Sequence, residues 1–396
     1  MSKYCIVIPD GAADYPVPEL DDRTPLEVSR IPNIDRATAE GILGQVRTVP
    51  RRMDPGSDVA IMSVVGYDPH HYYTGRAPLE AVDMGVDLSE QQWGFRCNFI
   101  TTDGSTLQDF CAGHISTEEA AELIDALNEE LGNEHVSFHT GTGYRHLMVY
   151  ESSSNLDLTT NPPHQVMGES LVDIFPEGRG RTELIELMRA SRDVLEGHDV
   201  NAVRRDIGKN PANVIWLWGE GRRPAMESFE ERYGYHGAAI SAVNLVRGIA
   251  RLVGWDIIQV PGITGYTDTD YAAKGRYAVD ALDNYDIVLV HVEAPDEASH
   301  EQSPRGKVKA IEQVDEKIVG PIMAACEDFD EARMLVMPDH ITSVEQGIHR
   351  RGLVPMVMWG EGINAGMESH FDERRAAETD IIWEEGHELM RSFLRD

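Results

Sequence analysis

Three short apolar runs in this sequence are each followed closely by an acidic residue. The runs occupy residues 4–9, 287–292 and 334–337, and the acids after them are Asp10, Glu293 and Asp339. The length and the apolar, often branched composition of these runs are typical of strands that are buried on both faces. We therefore expect a sheet whose strands end in carboxylates.

Helical patterns alternate with these strand-like runs. Residues 240–254 and 307–326 carry apolar side chains at helical spacing. Because strands that alternate with helices form mostly parallel sheets, we predict an α/β fold with a mostly parallel sheet and helices on both faces. In such sheets ligands bind beyond the carboxyl ends of the strands, which is where the acids lie.

The sequence pattern changes in the middle of the chain. Ser116 and Glu119 have the spacing of a capping box at the start of a helix that extends to about Leu131. Two hairpin-like runs and a polar stretch follow this helix. We predict a smaller α+β domain over residues 95–178, inserted into a core made of 1–94 and 179–396, and expect it to act as a lid.

The charge balance excludes several classes of partner. The chain has 35 basic and 68 acidic residues, a net charge of −33, which repels nucleic acid and anionic lipid. No apolar run approaches the roughly 20 residues that span a bilayer. The four cysteines include no CxxC pair, and the N-terminus has no charged leader, so we expect a reduced, cytoplasmic protein.

Aspartate and histidine residues with metal-ligand spacing occur at the predicted strand ends. Asp296 and His300 are four residues apart and share one face if they lie on a helix. A single pair of this kind more often lies on a solvated helix face, but Asp and His residues recur at three predicted strand ends. The six candidates suit two sites for Mn, Zn or Mg, and they are Asp10, Asp296, His300, Asp339, His340 and His349.

Ser57 follows a Pro-Gly turn and precedes a helical pattern. On spacing alone, a plain helix-capping serine is the simpler interpretation. Near a divalent cation, however, the pKa of a hydroxyl falls, and a serine can then accept a phosphoryl group covalently. Both interpretations of Ser57 remain open at this point.

The chain resembles the archaeal-type cofactor-independent phosphoglycerate mutases of the alkaline phosphatase superfamily over nearly its whole length. The matching segments are IPDGAAD, PGSDVAIMSVVGYDP, YTGRAPLEA, HVEAPDEASH, KVKAIEQVDEKIVGPI and PDHITSVEQGIH. The resemblance implies an alkaline-phosphatase-like core in which Ser57 is the phosphorylated nucleophile. It also implies the two sets of metal ligands, which are Asp10, Ser57, Asp339 and His340 for one ion and Asp296, His300 and His349 for the other.

The implied activity is the interconversion of 3-phosphoglycerate and 2-phosphoglycerate through a phosphoserine intermediate. It would use two divalent metal ions, for which Mn²⁺ is the first candidate. One loop departs from the family pattern, since Asp339-His340-Ile341-Thr342-Ser343 ends in serine where the family has proline. Segments such as FRCNFITTD and NVIWLWGEGRRP are closer to a bacterial branch proposed to be homoserine kinases. A kinase that transfers phosphate from ATP to homoserine is therefore the alternative, followed by a phosphatase on the same core.

Candidate substrate-binding residues are basic, because the expected partner is a small phosphorylated metabolite and bidentate arginine suits phosphate and carboxylate. For each of these residues taken singly, a surface ion pair or a structural role is an equally simple interpretation. A homo-oligomer is possible. The candidates are Arg76, Arg96, Arg145, His146 and Lys274.

Overall fold

The computed structural model describes residues 2–152 and 155–394 of the chain. The chain forms two compact units. We call Met1–Tyr73 together with Met226–Asp396 the core unit, and Thr74–Ala225 the inserted unit.

The inserted unit is longer at both ends than the 95–178 segment expected from the sequence, and the core unit is shorter than 1–94 with 179–396. Strand pairing explains the difference. Strand Val214–Gly221 pairs with strand Gln92–Thr102, so residues on both sides of the expected segment belong to one sheet.

In the core unit, helices separate most of the successive strands along the chain, as the sequence predicts. The strands are β1 (Lys3–Pro9), β2 (Ile42–Val46), β3 (Gln92–Thr102), β4 (Leu107–Asp109), β5 (Val136–Thr142), β6 (Arg145–Glu151), β7 (Asp157–Thr159), β8 (Glu177–Arg179), β9 (Val214–Gly221), β10 (Gly237–Ile240), β11 (Asp256–Ile257), β12 (Ile287–Val292), β13 (Ala332–Val336), β14 (Ile341–Ser343), β15 (Ile348–Arg350), β16 (Val354–Gly360) and β17 (Ile382–Trp383).

The helices range from single turns to sixteen residues. Among the described residues, none is both long and apolar enough to cross a membrane. They are α1 (Pro25–Val28), α2 (Pro32–Glu40), α3 (Ser57–Val64), α4 (Pro69–Tyr72), α5 (Arg76–Asp83), α6 (Thr117–Leu131), α7 (Leu171–Ile174), α8 (Arg181–Glu196), α9 (Asp199–Asp206), α10 (Phe229–Tyr233), α11 (Asn244–Leu252), α12 (Tyr271–Leu282), α13 (Ala294–His300), α14 (Pro304–Val314), α15 (Gly320–Cys326), α16 (Glu373–Glu378) and α17 (Leu389–Phe393).

An eight-stranded sheet forms the centre of the core unit, in the order β11-β10-β12-β1-β13-β16-β2-β17. The pairs from β11 to β13 are parallel, whereas β16 runs antiparallel to both of its neighbours. The predicted mostly parallel sheet is therefore confirmed. The helix expected over 240–254 begins only at Asn244, because residues before it form the parallel strand β10.

Both faces of this sheet are covered. Every residue of β1 and β12 is buried, and successive side chains of a strand point to opposite faces. Cys5 packs on one face with a core that includes Ile34 and Ile311 from helices, while Tyr4 on the other face contacts Phe393 of α17. The expectation of helices on both faces is confirmed.

The inserted unit is an antiparallel sheet in the order β4-β3-β6-β5, with β9 also paired to β3. Helix α6 begins at the predicted capping box, in which Ser116 and Glu119 each accept a backbone N–H of the other. Apolar side chains of α6 and α8 pack with those of the sheet into a separate core. The predicted α+β character of this part of the chain is confirmed.

Candidate metal centre

Three adjacent parallel strands bring the predicted ligands together. β12, β1 and β13 are neighbours, so the residues that follow them emerge at one edge of the sheet. Asp10 follows β1, Asp339 and His340 follow β13, and helix α13 with Asp296 follows β12. All four side chains are buried. We call the Asp–His cluster the set Asp10, Asp296, His300, Asp339, His340 and His349.

One group of potential ligand atoms comes from Asp10, Asp339 and His340, and these atoms lie within 4.8 Å of one another. Nε2 of His340 is 3.4 Å from an oxygen of each carboxylate. The second oxygen of Asp339 accepts the backbone N–H groups of Gly11, at 3.0 Å, and of His340, at 2.9 Å. This carboxylate is therefore fixed by the loops after β1 and β13.

A second group comes from Asp296, His340 and His349, again within 4.8 Å. His300 joins it, because its Nε2 lies 3.0 Å from Asp296 and 3.0 Å from Nε2 of His349. Helix α13 contains both Asp296 and His300, which confirms that their spacing of four places them on one helical face. His340 belongs to both groups, so the two are adjacent.

The pKa values of the second group reflect close contact between acid and imidazole. Its hydrogen bond to Asp296 raises the pKa of His300 to about 9. Burial alone would raise the pKa of Asp296, but the hydrogen bonds from His300 and His349 hold it well below its ordinary range. The contact with Asp296 thus favours the protonated form of His300, and a metal ion bound there would have to displace that proton.

Ser57 is the first residue of helix α3, and the residue that caps this helix is Gly56. Ser57 therefore lies one position beyond the cap, and the simple capping interpretation is wrong. Its Oγ instead lies 3.2 Å from Nε2 of His340. The structure therefore places this hydroxyl beside the Asp–His cluster, at the helix end where free backbone N–H groups favour anions.

The Asp–His cluster fits divalent cations. Among the described residues, Oδ1 of Asp10 and Oδ2 of Asp339 are buried without a hydrogen-bond partner. Burial raises the pKa of Asp10 well above its ordinary range, and the charges of Asp339 and Asp296 raise it further. A cation would relieve this repulsion, and mixed carboxylate and imidazole ligands suit Mn, Zn or Mg.

Among the described residues, two further side chains that were not predicted from the sequence contact side chains of the cluster. Nε2 of His291 lies 2.9 Å from Oδ2 of Asp10. The hydroxyl of Thr342 lies 2.6 Å from Asp296 and 3.1 Å from Nδ1 of His340. A histidine inside the otherwise apolar run 287–292 was the only sequence signal for the first.

Two predicted substrate-binding residues lie inside the protein. Lys274 is 1% exposed on α12, donates to the backbone oxygen of His291 at 3.1 Å, and has a pKa lowered to about 8 by burial. His146 is 3% exposed in the inserted unit, accepts the Gly141 N–H, and has a pKa lowered to about 3 by burial. Both therefore have structural contacts.

Arg76, Arg96 and Arg145, by contrast, surround one carboxylate of the inserted unit, and we call them the arginine cluster. Glu80 lies 3.2 Å from Arg76 and 2.9 Å from Arg96. Burial alone would raise the pKa of Glu80, but the charges of Arg96, Arg76 and Arg145 hold it below its ordinary value. Three arginines of this acidic protein therefore act on one carboxylate.

Comparisons with known proteins agree with this geometry. Residues 38–201 match the family described as 2,3-bisphosphoglycerate-independent phosphoglycerate mutase. Over 393 residues the chain is 47% identical to 2,3-bisphosphoglycerate-independent phosphoglycerate mutase 2 of Methanothermobacter thermautotrophicus, covering 99% of this chain and 97% of that protein. The chain belongs to this mutase family. It is also 48% identical over 358 residues to the mutase of Methanosarcina mazei, covering 90% of each. The resemblance indicated by the motifs is confirmed, and with it membership of an enzyme family.

Two solved structures share the fold of this mutase-family chain. A protein from Pyrococcus horikoshii matches with a TM-score of 0.83 and 30% identity, over 99% of this chain and 96% of that one. The cofactor-independent phosphoglycerate mutase of Thermoplasma acidophilum matches with a TM-score of 0.67 and 26% identity, over 100% of each chain. The likeness therefore extends through the core unit and the inserted unit.

Proposed function

We propose that the protein interconverts 3-phosphoglycerate and 2-phosphoglycerate by passing the phosphoryl group through Ser57, without 2,3-bisphosphoglycerate. The observation that carries this proposal is the position of the Ser57 hydroxyl, 3.2 Å from His340 at the start of α3, in a chain of the mutase family. A hydroxyl at a helix N-terminus faces backbone N–H groups that stabilise the oxygens of a phosphoryl group.

We assign the ligands to two divalent ions, with Mn²⁺ first and Zn²⁺ or Mg²⁺ as alternatives. When bound, the cations would neutralise the phosphoryl oxygens and lower the pKa of the Ser57 hydroxyl. The buried, unpartnered oxygens of Asp10 and Asp339 support the first site. The ligands proposed are Asp10, Ser57, Asp339 and His340 for one ion and Asp296, His300 and His349 for the other.

The proposed reaction consists of two phosphoryl transfers. In the first, Oγ of Ser57 bonds to phosphorus while the bond between phosphorus and O3 of 3-phosphoglycerate breaks. The proton lost by Ser57 is balanced by the proton gained by O3 of glycerate. In the second, O2 of glycerate bonds to phosphorus while the bond between phosphorus and Oγ breaks, and the proton lost by O2 is balanced by the proton that Oγ regains. Positioning and charge neutralisation supply most of the catalysis in such transfers.

We propose that the arginine cluster binds the negative groups of the substrate. Arg145 is exposed, whereas Arg96 is 6% exposed and lies with its guanidinium carbon 4.2 Å from the centre of the Trp218 ring. A guanidinium held against an aromatic ring is restricted in its movement, which suits bidentate binding of phosphate or carboxylate. In this proposal the inserted unit is the substrate-binding domain.

Phosphorus NMR tests the proposal directly. The Mn²⁺-loaded protein is incubated with 3-phosphoglycerate, and separately with ATP and homoserine. We expect 2-phosphoglycerate to form in the first incubation up to an equilibrium mixture. Phosphohomoserine formed from ATP, with no isomerisation of 3-phosphoglycerate, would overturn the mutase proposal in favour of the kinase alternative. Inorganic phosphate as the main product would instead indicate a phosphatase.

A further inference from the structure

His291 is a fully buried histidine in the middle of strand β12, at 0% exposure. It is not one of the potential metal ligands, yet both of its ring nitrogens have polar partners. Nδ1 lies 3.2 Å from Oγ of Ser241, and Nε2 lies 2.9 Å from Oδ2 of Asp10. Burying a polar side chain is costly unless its hydrogen bonds are satisfied. The two partners of His291 therefore explain how this strand tolerates a histidine among apolar residues.

The partners of His291 fix the direction of both hydrogen bonds. A carboxylate only accepts, so Nε2 carries the proton that His291 shares with Asp10. Oγ of Ser241 accepts the backbone N–H of Val243 at 3.0 Å, which leaves its own proton for Nδ1. The resulting chain runs from Val243 through Ser241 and His291 to Asp10, and every donor in it has an acceptor.

This chain distinguishes the two oxygens of Asp10. Oδ2 accepts the proton of His291. Oδ1 is buried and has no hydrogen-bond partner among the described residues, and it lies 3.4 Å from Nε2 of His340. One oxygen of Asp10 is therefore held by the protein, while the other faces the first group of proposed ligands.

We propose that His291 is a positioning residue that fixes Asp10 as a one-oxygen metal ligand, and that Ser241 sets the tautomer of His291 for this purpose. The inference rests on the metal centre of the proposed function. In this role His291 acts through its contact with Asp10. Its backbone is held as well, because Lys274 donates to its carbonyl oxygen at 3.1 Å.

The test is a titration of the full-length protein with Mn²⁺ alone, with free Mn²⁺ followed by electron paramagnetic resonance. The parent is expected to bind two ions. In His291→Leu we expect one of the two to bind about 10- to 100-fold more weakly, the scale of losing a residue that orients a metal ligand. The other ion should keep its affinity. His291→Gln, which retains an N–H donor, should lie closer to the parent.

Two buried serines provide a matched pair that preserves the histidine. Ser241→Ala removes the donor to Nδ1 and should lower the affinity for one of the two Mn²⁺ ions about fivefold, the scale of one hydrogen bond. Ser191 is also buried, and its hydroxyl donates to Met188 at 2.7 Å and accepts from Ile215 at 3.1 Å. Ser191→Ala should lower thermal stability about as much as Ser241→Ala does, but it should leave the affinities for both Mn²⁺ ions unchanged.

The outcomes separate this inference from the proposed function. A parent that binds no Mn²⁺ would overturn the metal centre and this inference with it. Suppose that the parent binds two ions and that His291→Leu folds. If the variant then binds both ions as tightly as the parent, or binds both more weakly by the same factor, His291 does not position Asp10. Should His291→Leu fail to fold by circular dichroism, equal affinities in Ser241→Ala and Ser191→Ala would overturn the inference.

Discussion

The hydroxyl of Thr342 lies 2.6 Å from Oδ1 of Asp296. A hydroxyl has one proton, and the carboxylate accepts it, so the contact of 3.1 Å between the same oxygen and Nδ1 of His340 is one in which the histidine donates. Nε2 of His340 is then left with its lone pair facing Ser57 and Asp10. One threonine thus orients members of both proposed ligand groups.

Thr342→Val should therefore impair both groups at once. Valine has nearly the shape of threonine but can neither donate to Asp296 nor accept from His340. We expect turnover at a fixed Mn²⁺ concentration to fall about 10- to 100-fold, with weaker Mn²⁺ binding in the same titration. Thr38→Val removes another buried hydroxyl, which donates to the Ile34 carbonyl, and should lower stability alone. Equal effects of the two substitutions on Mn²⁺ binding would argue against the orienting role.

Ser57→Ala should abolish turnover while preserving the fold. The substitution deletes the proposed nucleophile, but Gly56 rather than Ser57 occupies the cap position, so the unfolding free energy should change by less than about 1 kcal/mol. A phosphorus NMR assay with 3-phosphoglycerate measures the loss. Ser63→Ala in the same helix is the control, because its buried hydroxyl has no hydrogen-bond partner among the described residues. Turnover of Ser57→Ala within tenfold of the parent would place the nucleophile elsewhere.

Removal of divalent cations should abolish activity and lower thermal stability. Without a cation the buried Asp10 and Asp339 carboxylates repel each other, and ligand binding to the folded state alone stabilises it by mass action. Excess chelator followed by added Mn²⁺ should reverse both effects, and chelator already saturated with Mn²⁺ should have none. Full activity in chelator, with no metal found by elemental analysis, would contradict the two-metal proposal.

The sequence predicts most of the centre because its residues follow strands that are parallel neighbours. Parallel strand ends meet at one edge whatever their separation along the chain, so Asp10, Asp296 and Asp339 could be grouped without a structure. His291 could not be assigned in this way, because its partner Asp10 lies 281 residues away and the bond depends on the register of β1 with β12. Local spacing carries no information about such pairing.

Neighbouring residues of a strand illustrate a second limit. Arg145 and His146 are adjacent, and both are candidate substrate-binding residues from the sequence. The structure places Arg145 at the surface and His146 in the core against Phe99. Leu147 and Val149 lie on the same face of β6 as Arg145 and are buried, so both faces of the strand are covered and Arg145 is exposed at its first position. A polar pair at the start of a strand gives no periodicity from which to predict this difference.

Arg145→Ala should weaken use of 3-phosphoglycerate by about two to three orders of magnitude in kcat/KM, the scale of a lost charge-assisted contact in a transition state. Arg145 is exposed, so the fold should be unchanged. Arg205→Ala provides the control, because Arg205 belongs to the same unit and pairs with Glu196 at the surface. If both variants keep parent kinetics, Arg145 does not bind substrate.

Glu373 should make the stability of the core unit depend on pH. Its carboxylate accepts the Thr24 hydroxyl at 2.6 Å and the Asp14 N–H at 2.9 Å, but burial outweighs these bonds and raises its pKa to about 7. An unfolded glutamate has a pKa of about 4.3. The folded state therefore binds the proton more tightly, and this stabilisation is complete below about pH 4 and is lost as the pH rises to 7.

Glu373→Gln cannot ionise, so the stability of the parent relative to this variant should fall by about 2 kcal/mol between pH 5 and pH 8. Urea unfolding at both pH values measures the difference, and groups common to both proteins cancel from it. Glu378→Gln, at the exposed end of the same helix, is the matched control for replacing a glutamate by glutamine. A relative stability that rises with pH would show that the hydrogen bonds from Thr24 and Asp14 dominate over burial and that Glu373 is ionised in the folded protein.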